Sequence, residues 1–349
     1  SLRGNSTERS SKITIMEDGI LMAPAPYSAS SAYYFPTIAR MEAVEVLKGS
    51  SQVQYGPVTT GGAINMISSQ IPTEFEGKIR ASYGSFNSQQ LHAKVGGGNN
   101  TFGYMVEYLN YGSDGFKTLP SGKDTGFDKN DVVAKFSVNL FPNASVKQSL
   151  EFKFQYSDEV GNETYLGLTE ADFNANPFSR YASSNEDLMT TDHTQYALTH
   201  KVDFSENVRL TTTAYRNNFS RNWYKLNDIT FNGDKQSIAN ILDNPNTLSD
   251  HFAIVNGSVN SGADAIGVKA NNRAYYSQGI QSKFDYHWYK GDVFHDLEVG
   301  VRFHYDEEDR FQWVDKYSIS NTGDLTLTTA GVPGTNANRI SSANAFASF

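Results

Sequence analysis

From Glu74 onward, apolar and polar residues alternate with a period of two, the strand period in which successive side chains point to opposite faces. Phe75, Gly77, Ile79, Ala81 and Tyr83 fall on one face; Glu74, Glu76, Lys78, Arg80 and Ser82 fall on the other. Leu150, Phe152, Phe154 and Tyr156 oppose Lys147, Glu151, Lys153 and Gln155 in the same way, and Leu297, Val299, Val301, Phe303 and Tyr305 oppose Glu298, Arg302, His304 and Asp306. Weaker versions cover 88–96, 101–111, 130–140, 195–205, 208–219, 275–288 and 338–349, so the pattern predicts about ten strands. Many are longer than the roughly five or six residues usual in globular sheets, and close to the roughly 9–11 that cross a bilayer at a tilt.

After the second strand the predicted connections alternate in length. Those at 97–100, 142–145, 205–207 and 289–292 are tight, whereas 112–126, 158–194, 222–272 and about 310–337 are long and rich in Asn, Ser, Gly and Asp. Short turns at one end and long loops at the other are the pattern of an outer-membrane β-barrel. The tight link at 84–87 is an exception, because it falls at the long-loop end. Tyr104, Tyr108, Tyr111, Phe136, Phe141, Tyr286, Trp288, Tyr289 and Tyr305 lie near strand ends, where interfacial girdles form. A soluble antiparallel sandwich also alternates; strand length, loop asymmetry and aromatic placement favour the membrane wall.

Residues 1–72 read differently. Short β pieces at 12–16, 43–47, 53–55 and 63–67, an Asp18-Gly19 turn, glycine corners at Gly49, Gly56 and Gly61-Gly62, and a short helix opened by Pro36 over 37–42 predict a compact α/β unit. It is too small to be comfortable alone. The expected division is therefore 1–72 and 73–349.

Composition removes several chemistries. The 349 residues contain no cysteine, which excludes disulfides, thiolate metal sites and a cysteine nucleophile. A net charge of −9, from 29 basic and 38 acidic residues, argues against a nucleic-acid footprint. No stretch approaches the roughly 18 apolar residues of a membrane helix. His92, His193, His200, His251, His287, His295 and His304 form no HExxH or HxH pair, no catalytic constellation stands out, and no metal site or cofactor is expected. The run Asp306-Glu307-Glu308-Asp309 sits where a strand emerges outside and reads first as a solvated or lipopolysaccharide-bridging end.

The spacing of several motifs carries a resemblance. Leu2-Arg3-Gly4, Ile15-Met16-Glu17-Asp18-Gly19-Ile20, Arg40-Met41-Glu42-Ala43-Val44-Glu45-Val46-Leu47-Lys48-Gly49, Tyr55-Gly56-Pro57 and Gly61-Gly62-Ala63-Ile64-Asn65-Met66-Ile67 resemble the plug domain of TonB-dependent outer-membrane receptors. The segments Ala23-Pro24-Ala25-Pro26-Tyr27, Ala32-Tyr33-Tyr34-Phe35-Pro36 and Tyr165-Leu166-Gly167-Leu168-Thr169 are similar to the ferric dicitrate branch. The resemblance implies a transmembrane antiparallel β-barrel of 22 strands with a small α/β plug inside. The chain then reads as a fragment: 1–72 the C-terminal part of the plug, 73–349 the N-terminal part of the barrel. A targeting segment and the peptide that engages the energy-transducing TonB complex of the inner membrane are expected upstream of Ser1. An open membrane sheet agrees with incompleteness, since a lipid-facing edge leaves backbone groups unpaired.

The family implies active import of a ferric chelate, ferric citrate or another siderophore, across the bacterial outer membrane, with Fe3+ as cargo and outer-membrane lipid or lipopolysaccharide around the wall. Cobalamin and carbohydrate receptors share the plug motifs, and a plugless porin or adhesin is the remaining rival. By the resemblance, Asn5, Ser6, Thr7 and Arg9, with Pro26, Tyr27 and Ser28, are plug apices that touch the chelate. Arg3 and Arg40 anchor the plug on barrel glutamates expected beyond residue 349. An anionic chelate also calls for guanidinium groups that fork onto carboxylates, for which Arg180, Arg216, Arg221 and Arg273 are available.

Overall fold

The computed structural model describes residues 11–56 and 58–348. Two sheets account for most of them. The first has the order β2-β1-β4-β3, from β1 (Ile13–Glu17), β2 (Ile20–Leu21), β3 (Met41–Leu47) and β4 (Gly62–Ser68). Asp18 and Gly19, both at positive φ, make the tight turn from β1 to β2, and β1 runs parallel to β4. Two expectations change here. After Pro36 only a 3-10 turn forms (Ile38–Arg40) before the chain enters β3, and Ser50–Tyr55 is 3-10 helix rather than strand. Both segments are too short for stable α-helix, and Gly49 and Gly56, each at positive φ, bound the second.

The second sheet is a continuous antiparallel wall. Its long strands are β5 (Glu76–Gly84), β6 (Ser88–Gly98), β7 (Phe102–Ser113), β8 (Phe127–Asn139), β9 (Lys147–Gly161), β10 (Leu188–Ser205), β11 (Val208–Phe231), β13 (Ile266–Lys290), β14 (Val293–Ile319) and β16 (Thr335–Ser348). Short β12 (Asp234–Ser237) pairs with β11, and β15 (Leu325–Thr329) with β14. The crossing to this wall from the first sheet falls between Ser68 and Glu76. Sequence determines the turns. Asn99 accepts from the amides of Thr101 and Phe102, Gly291 at positive φ closes β13 to β14, and Phe86 and Asn87, both at positive φ, make the 84–87 link a genuine tight hairpin at the long-loop end.

Burial follows the two-residue period. Lys153, Gln155 and Ser157 point inward and are buried, while Phe152 and Tyr156 are exposed on the outside. Tyr104, Phe136 and Phe152 share one outward row. Tyr286, Trp288 and His295 stack outward near the tight-turn end, with ring centroids 4.7 and 4.8 Å apart.

Strands β11, β13 and β14 have 24, 25 and 27 residues, far beyond a bilayer's need of roughly ten. The expected loops 158–194, 222–272 and 310–337 therefore contribute strand over much of their length. There the apolar residues pack under the outer cap rather than against lipid, so the membrane alternation is lost, yet the backbone ladder continues. Asn232-Gly233, both at positive φ, folds β11 back into β12. Above the wall a second apolar core forms: Ile229, Ile241, Ile254, Val255, Ile266 and Val268 are buried together, with helices α2 (Ile238–Asp243) and α3 (Ser249–Asn256) packed on β11. Helix α1 (Glu170–Ala175) lies between β9 and β10, capped by Thr169, whose hydroxyl accepts from the Asp172 amide.

Outward position thus fixes tolerance to charge. Ile280→Lys, in the middle of the outward apolar band, is expected to destabilise the full-length protein in lipid vesicles by about 2–4 kcal/mol. Asn272→Lys, on the same face of β13 but above that band, should cost under about 1 kcal/mol in the same unfolding titration.

Candidate functional site

The first sheet meets the inner face of the wall at two places. At the first, Arg40 leaves its 3-10 turn with a side chain wholly out of solvent. Its Nη1 and Nη2 donate to the two carboxylate oxygens of Glu17, 2.8 Å each, and its Nε donates to Asp131 Oδ2 at 2.9 Å. Lys153 Nζ donates to Glu17 Oε1 at 2.5 Å and to Asp18 Oδ2 at 2.8 Å; Lys135 stands 3.6 Å from Asp18. Three cations and three carboxylates are therefore closed on one another, half from each sheet. Unpaired, any of them would be prohibitive to bury. Burial alone would push the Glu17 carboxyl up, but Arg40 and Lys153 together hold it down to about 2.

This corrects the expectation that the carboxylates for Arg40 lie beyond residue 349. The wall partner is Asp131 on β8, and the second partner, Glu17, belongs to the same sheet as Arg40's own segment. Periodicity marks Asp131 as inward-facing; which inward carboxylate Arg40 reaches depends on how the sheets dock. Arg3, Asn5, Ser6, Thr7 and Arg9 lie outside the described residues.

At the second, the loop between β2 and the 3-10 turn runs against β14. Asp306 accepts from the amides of Tyr27 (2.9 Å) and Ser28 (3.0 Å) and from the Ser28 hydroxyl (2.5 Å), and it bonds His304 at 3.2 Å. The Tyr27 ring packs 5.2 Å from His304, and Pro26 is buried. Pro26, Tyr27 and Ser28 are thus fastened to the wall. The loop's upward contact is Tyr33, whose ring lies 3.9 Å beneath the Arg221 guanidinium and 5.4 Å from that of Arg273.

Arg221, Arg273 and Arg310 are direct cross-strand partners on β11, β13 and β14, so all three side chains leave the same, inner face at the same height. Arg273 pairs with Glu308 at 3.2 Å. Arg221 is 1% exposed, and none of its three guanidinium nitrogens makes a hydrogen bond of normal geometry among the described residues. Nε of Arg273 and of Arg310 is unmatched as well. Of these three fixed positive charges, Arg273 alone pairs with a carboxylate among the described residues, Glu308, and the row stands above the Tyr33 ring. Arg310 escaped the sequence reading, since finding it requires stepping equally away from the turn between β13 and β14.

The other two arginines stand elsewhere. Arg216 occupies an even position of β11 and points outward, so it does not join the inner row; the two-residue period separates it from Arg221. Arg180, in the β9–β10 connection, folds back on the carbonyls of Pro177 and Ser179, at 3.1 and 2.5 Å. The acidic run divides by the same alternation. Asp306 and Glu308 face inward on Ser28 and Arg273, whereas Glu307 and Asp309 face outward on Arg339.

Residues 1–63 match the family model described as the TonB-dependent receptor plug domain. Over those residues the chain carries a TonB-dependent receptor plug domain. The first sheet lies mostly within that match, the second is the long antiparallel wall, and TonB-dependent receptors are outer-membrane proteins. The chain's fold is similar to that of the ferric citrate transporter FecA in the unliganded form (18% identity, TM-score 0.71, 98% of this chain and 45% of that one). It also resembles the ferric-catecholate import receptor Fiu of E. coli K12 in its open form (13% identity, TM-score 0.62, 99% and 60%). Among curated proteins it is similar to the vitamin B12 transporter BtuB of Photobacterium profundum, 26% identical over 132 residues, which are 37% of this chain and 22% of that protein. The chain thus spans less than a quarter of that relative and under half of the FecA chain. These relatives are transport receptors rather than enzymes.

Two titrations follow from the receptor's geometry. Because the Glu17 carboxyl is depressed in the folded state, its contribution is complete above pH 4.5 and is lost as pH falls toward 2. Glu17→Gln should abolish that dependence and lower stability by about 3–5 kcal/mol, since Arg40 and Lys153 lose their shared carboxylate; chemical denaturation of the full-length receptor at pH 3 and pH 7 checks both. In the outer cap, Asp187 is buried with its oxygens on the amides of Leu226 (2.7 Å) and Tyr165 (3.3 Å), and burial outweighs those bonds to push it up to about 7. The sign is opposite: the cap loses stability as pH rises from 3.8 through 7. Hydrogen-exchange protection of the Leu226 and Tyr165 amides, taken relative to the intrinsic rate at each pH, should fall over that range in the parent and stay flat in Asp187→Asn.

Proposed function

We propose that this chain is the ligand-gathering part of a receptor that imports an anionic ferric chelate, of which ferric citrate is the leading candidate, across the outer membrane. The observation that carries the proposal is the inner row Arg221–Arg273–Arg310, three guanidiniums against one carboxylate with Arg221 unmatched. Guanidinium forks suit carboxylate oxygens in geometry and charge. A multiply carboxylated chelate seated over Tyr33 would supply the acceptors this row lacks. In the proposal Asn5, Ser6, Thr7 and Arg9 also touch the chelate, Arg180 contributes from the outer loops, and the inner-membrane TonB complex provides the work that moves the plug. Iron is cargo and no covalent step is involved. A vitamin B12-type ligand is favoured by the sequence relatives; the guanidinium row favours the anion.

Ferric citrate titrated against the full-length receptor tests this. Arg221→Ala and Arg273→Ala should each weaken binding roughly ten- to a hundredfold, the worth of about 1.5–3 kcal/mol per charge-assisted bond. Arg216→Ala, on the opposite face, should leave affinity unchanged. No binding by the parent, or equal binding by both inner-row variants, refutes the ligand.

A further inference from the structure

The outward face of the wall is not a uniform apolar surface. One row across six strands reads Phe152, Leu198, Ala214, Ile280, Phe303 and Ala345, each opposite the next. The methyl of Ala214 stands between the longer Leu198 and Ile280, leaving an open groove of about 850 Å3 whose lining continues to Ala343 and Ala345. In the adjoining row, toward the long loops, Arg216 stands between Tyr196 and Gln278. The groove therefore has apolar sides along the membrane band and a cation at its loop-side end.

Arg216 is held in place and left charged. Its Nη1 donates to Gln278 Oε1 at 2.7 Å, its Nε donates to Asn218 Oδ1 at 3.1 Å, and the guanidinium lies 4.2 Å over the ring of Tyr276. Among the described residues no carboxylate lies within ion-pair distance of it. The outward carboxylates in the rows above are engaged elsewhere: Glu307 and Asp309 by Arg339 at 3.3 and 2.8 Å, Asp192 by the Ser220 hydroxyl. Above the Arg216 row the outward face turns polar, so the guanidinium sits at headgroup height at the long-loop end. That end faces the outer leaflet, whose anionic lipid is a phosphorylated, acylated glycolipid.

We infer that this groove holds one molecule of that outer-leaflet glycolipid, with an acyl chain lying along Ala214 and a phosphate on Arg216. Inside a bilayer an apolar trough offers fit without a hydrophobic driving force, because lipid tails are as apolar as the wall. Selectivity over uncharged lipid therefore comes from the phosphate–guanidinium contact, a charge-assisted pair, and selectivity over a two-chain phospholipid from the breadth of the groove, whose lining crosses six strands from Phe152 to Ala345. This use of Arg216 is independent of the inner row.

Native mass spectrometry of the full-length receptor, incubated with hexa-acyl diphosphoryl lipid A, its dephosphorylated form or phosphatidylglycerol, tests it. The parent should retain one diphosphoryl lipid A and lose at least tenfold in retention for the other two lipids. Arg216→Gln should lose lipid A retention at least tenfold, Arg216→Lys should keep most of it, and Ala214→Trp, which fills the trough, should lose it with Arg216 intact. Unaltered ferric citrate affinity and unaltered gel mobility before heating would show that these variants stay folded and that the effect belongs to the outer face. Equal retention by the parent and by Arg216→Gln and Ala214→Trp overturns the site; equal retention of phosphatidylglycerol overturns the glycolipid.

Discussion

Arg40 carries a full charge at a point without solvent, and the docking of plug on wall depends on how that charge is neutralised. A bidentate contact to Glu17 satisfies one edge of the guanidinium, and Asp131 takes Nε. Glu17 and Asp18 then need more cation than Arg40 alone offers, which Lys153 and Lys135 provide from the wall. Desolvation of six charges consumes much of their mutual attraction, so such a cluster contributes less net stability than its contacts suggest. Its value is positional. Shifting the plug by one residue's spacing would leave a buried charge without a partner, and that penalty fixes the register in which the sheets meet.

The wall makes that possible because a period of two gives each strand two independent surfaces. On β14, inward Arg302, His304, Asp306, Glu308 and Arg310 alternate with outward Val301, Phe303 and Tyr305. One strand thereby clamps the plug loop through Asp306, charges the inner rim through Arg310 and meets lipid through Phe303. A one-residue slip would exchange all three roles. The same geometry explains why Arg216 and Arg221 on one strand serve different media.

Much of this was legible in the sequence. Ten long strands, the tight hairpins and the inward or outward sense of Phe152, Lys153 and Phe303 follow from alternation alone, and the plug motifs announce the first sheet. The upper halves of β11, β13 and β14 were not legible, because their apolar residues answer to the outer cap rather than to lipid, which breaks the alternation that marks a membrane strand while keeping the ladder. The buried cap core around Ile241 and Ile254 was hidden for a related reason: its apolar residues are scattered through a polar stretch and meet only in space. The partners of Arg40 and the Arg221–Arg273–Arg310 row demanded register and docking. Tyr289–Asp292, read as the β13–β14 turn, lies one position from the observed link, enough to misalign every pair above it.

The stretch from Tyr33 to Arg40 joins the guanidinium row to the charge cluster and gives its two ends unequal resistance. At its first end, Tyr33 engages Arg221 through a ring face, worth about 0.5–2 kcal/mol. In the proposed function, a ligand carboxylate competing for that guanidinium would form a stronger, charge-assisted bond, so the exchange would run toward ligand and free Tyr33. Next in the chain, Tyr34 is stacked on His193 at 4.0 Å and accepts from Gln155 at 3.0 Å, which holds the segment beyond the exchange. At its Arg40 end the six charges already cancel, and an anion bound at Arg221 would offer them no better partner. On that proposal, ligand occupancy would loosen the Tyr33 end of this segment while leaving its Arg40 end locked. Opening the Arg40 end requires either protons, at a pH far below the physiological range for Glu17, or mechanical work delivered from elsewhere. A plug held this way discriminates between being occupied and being opened.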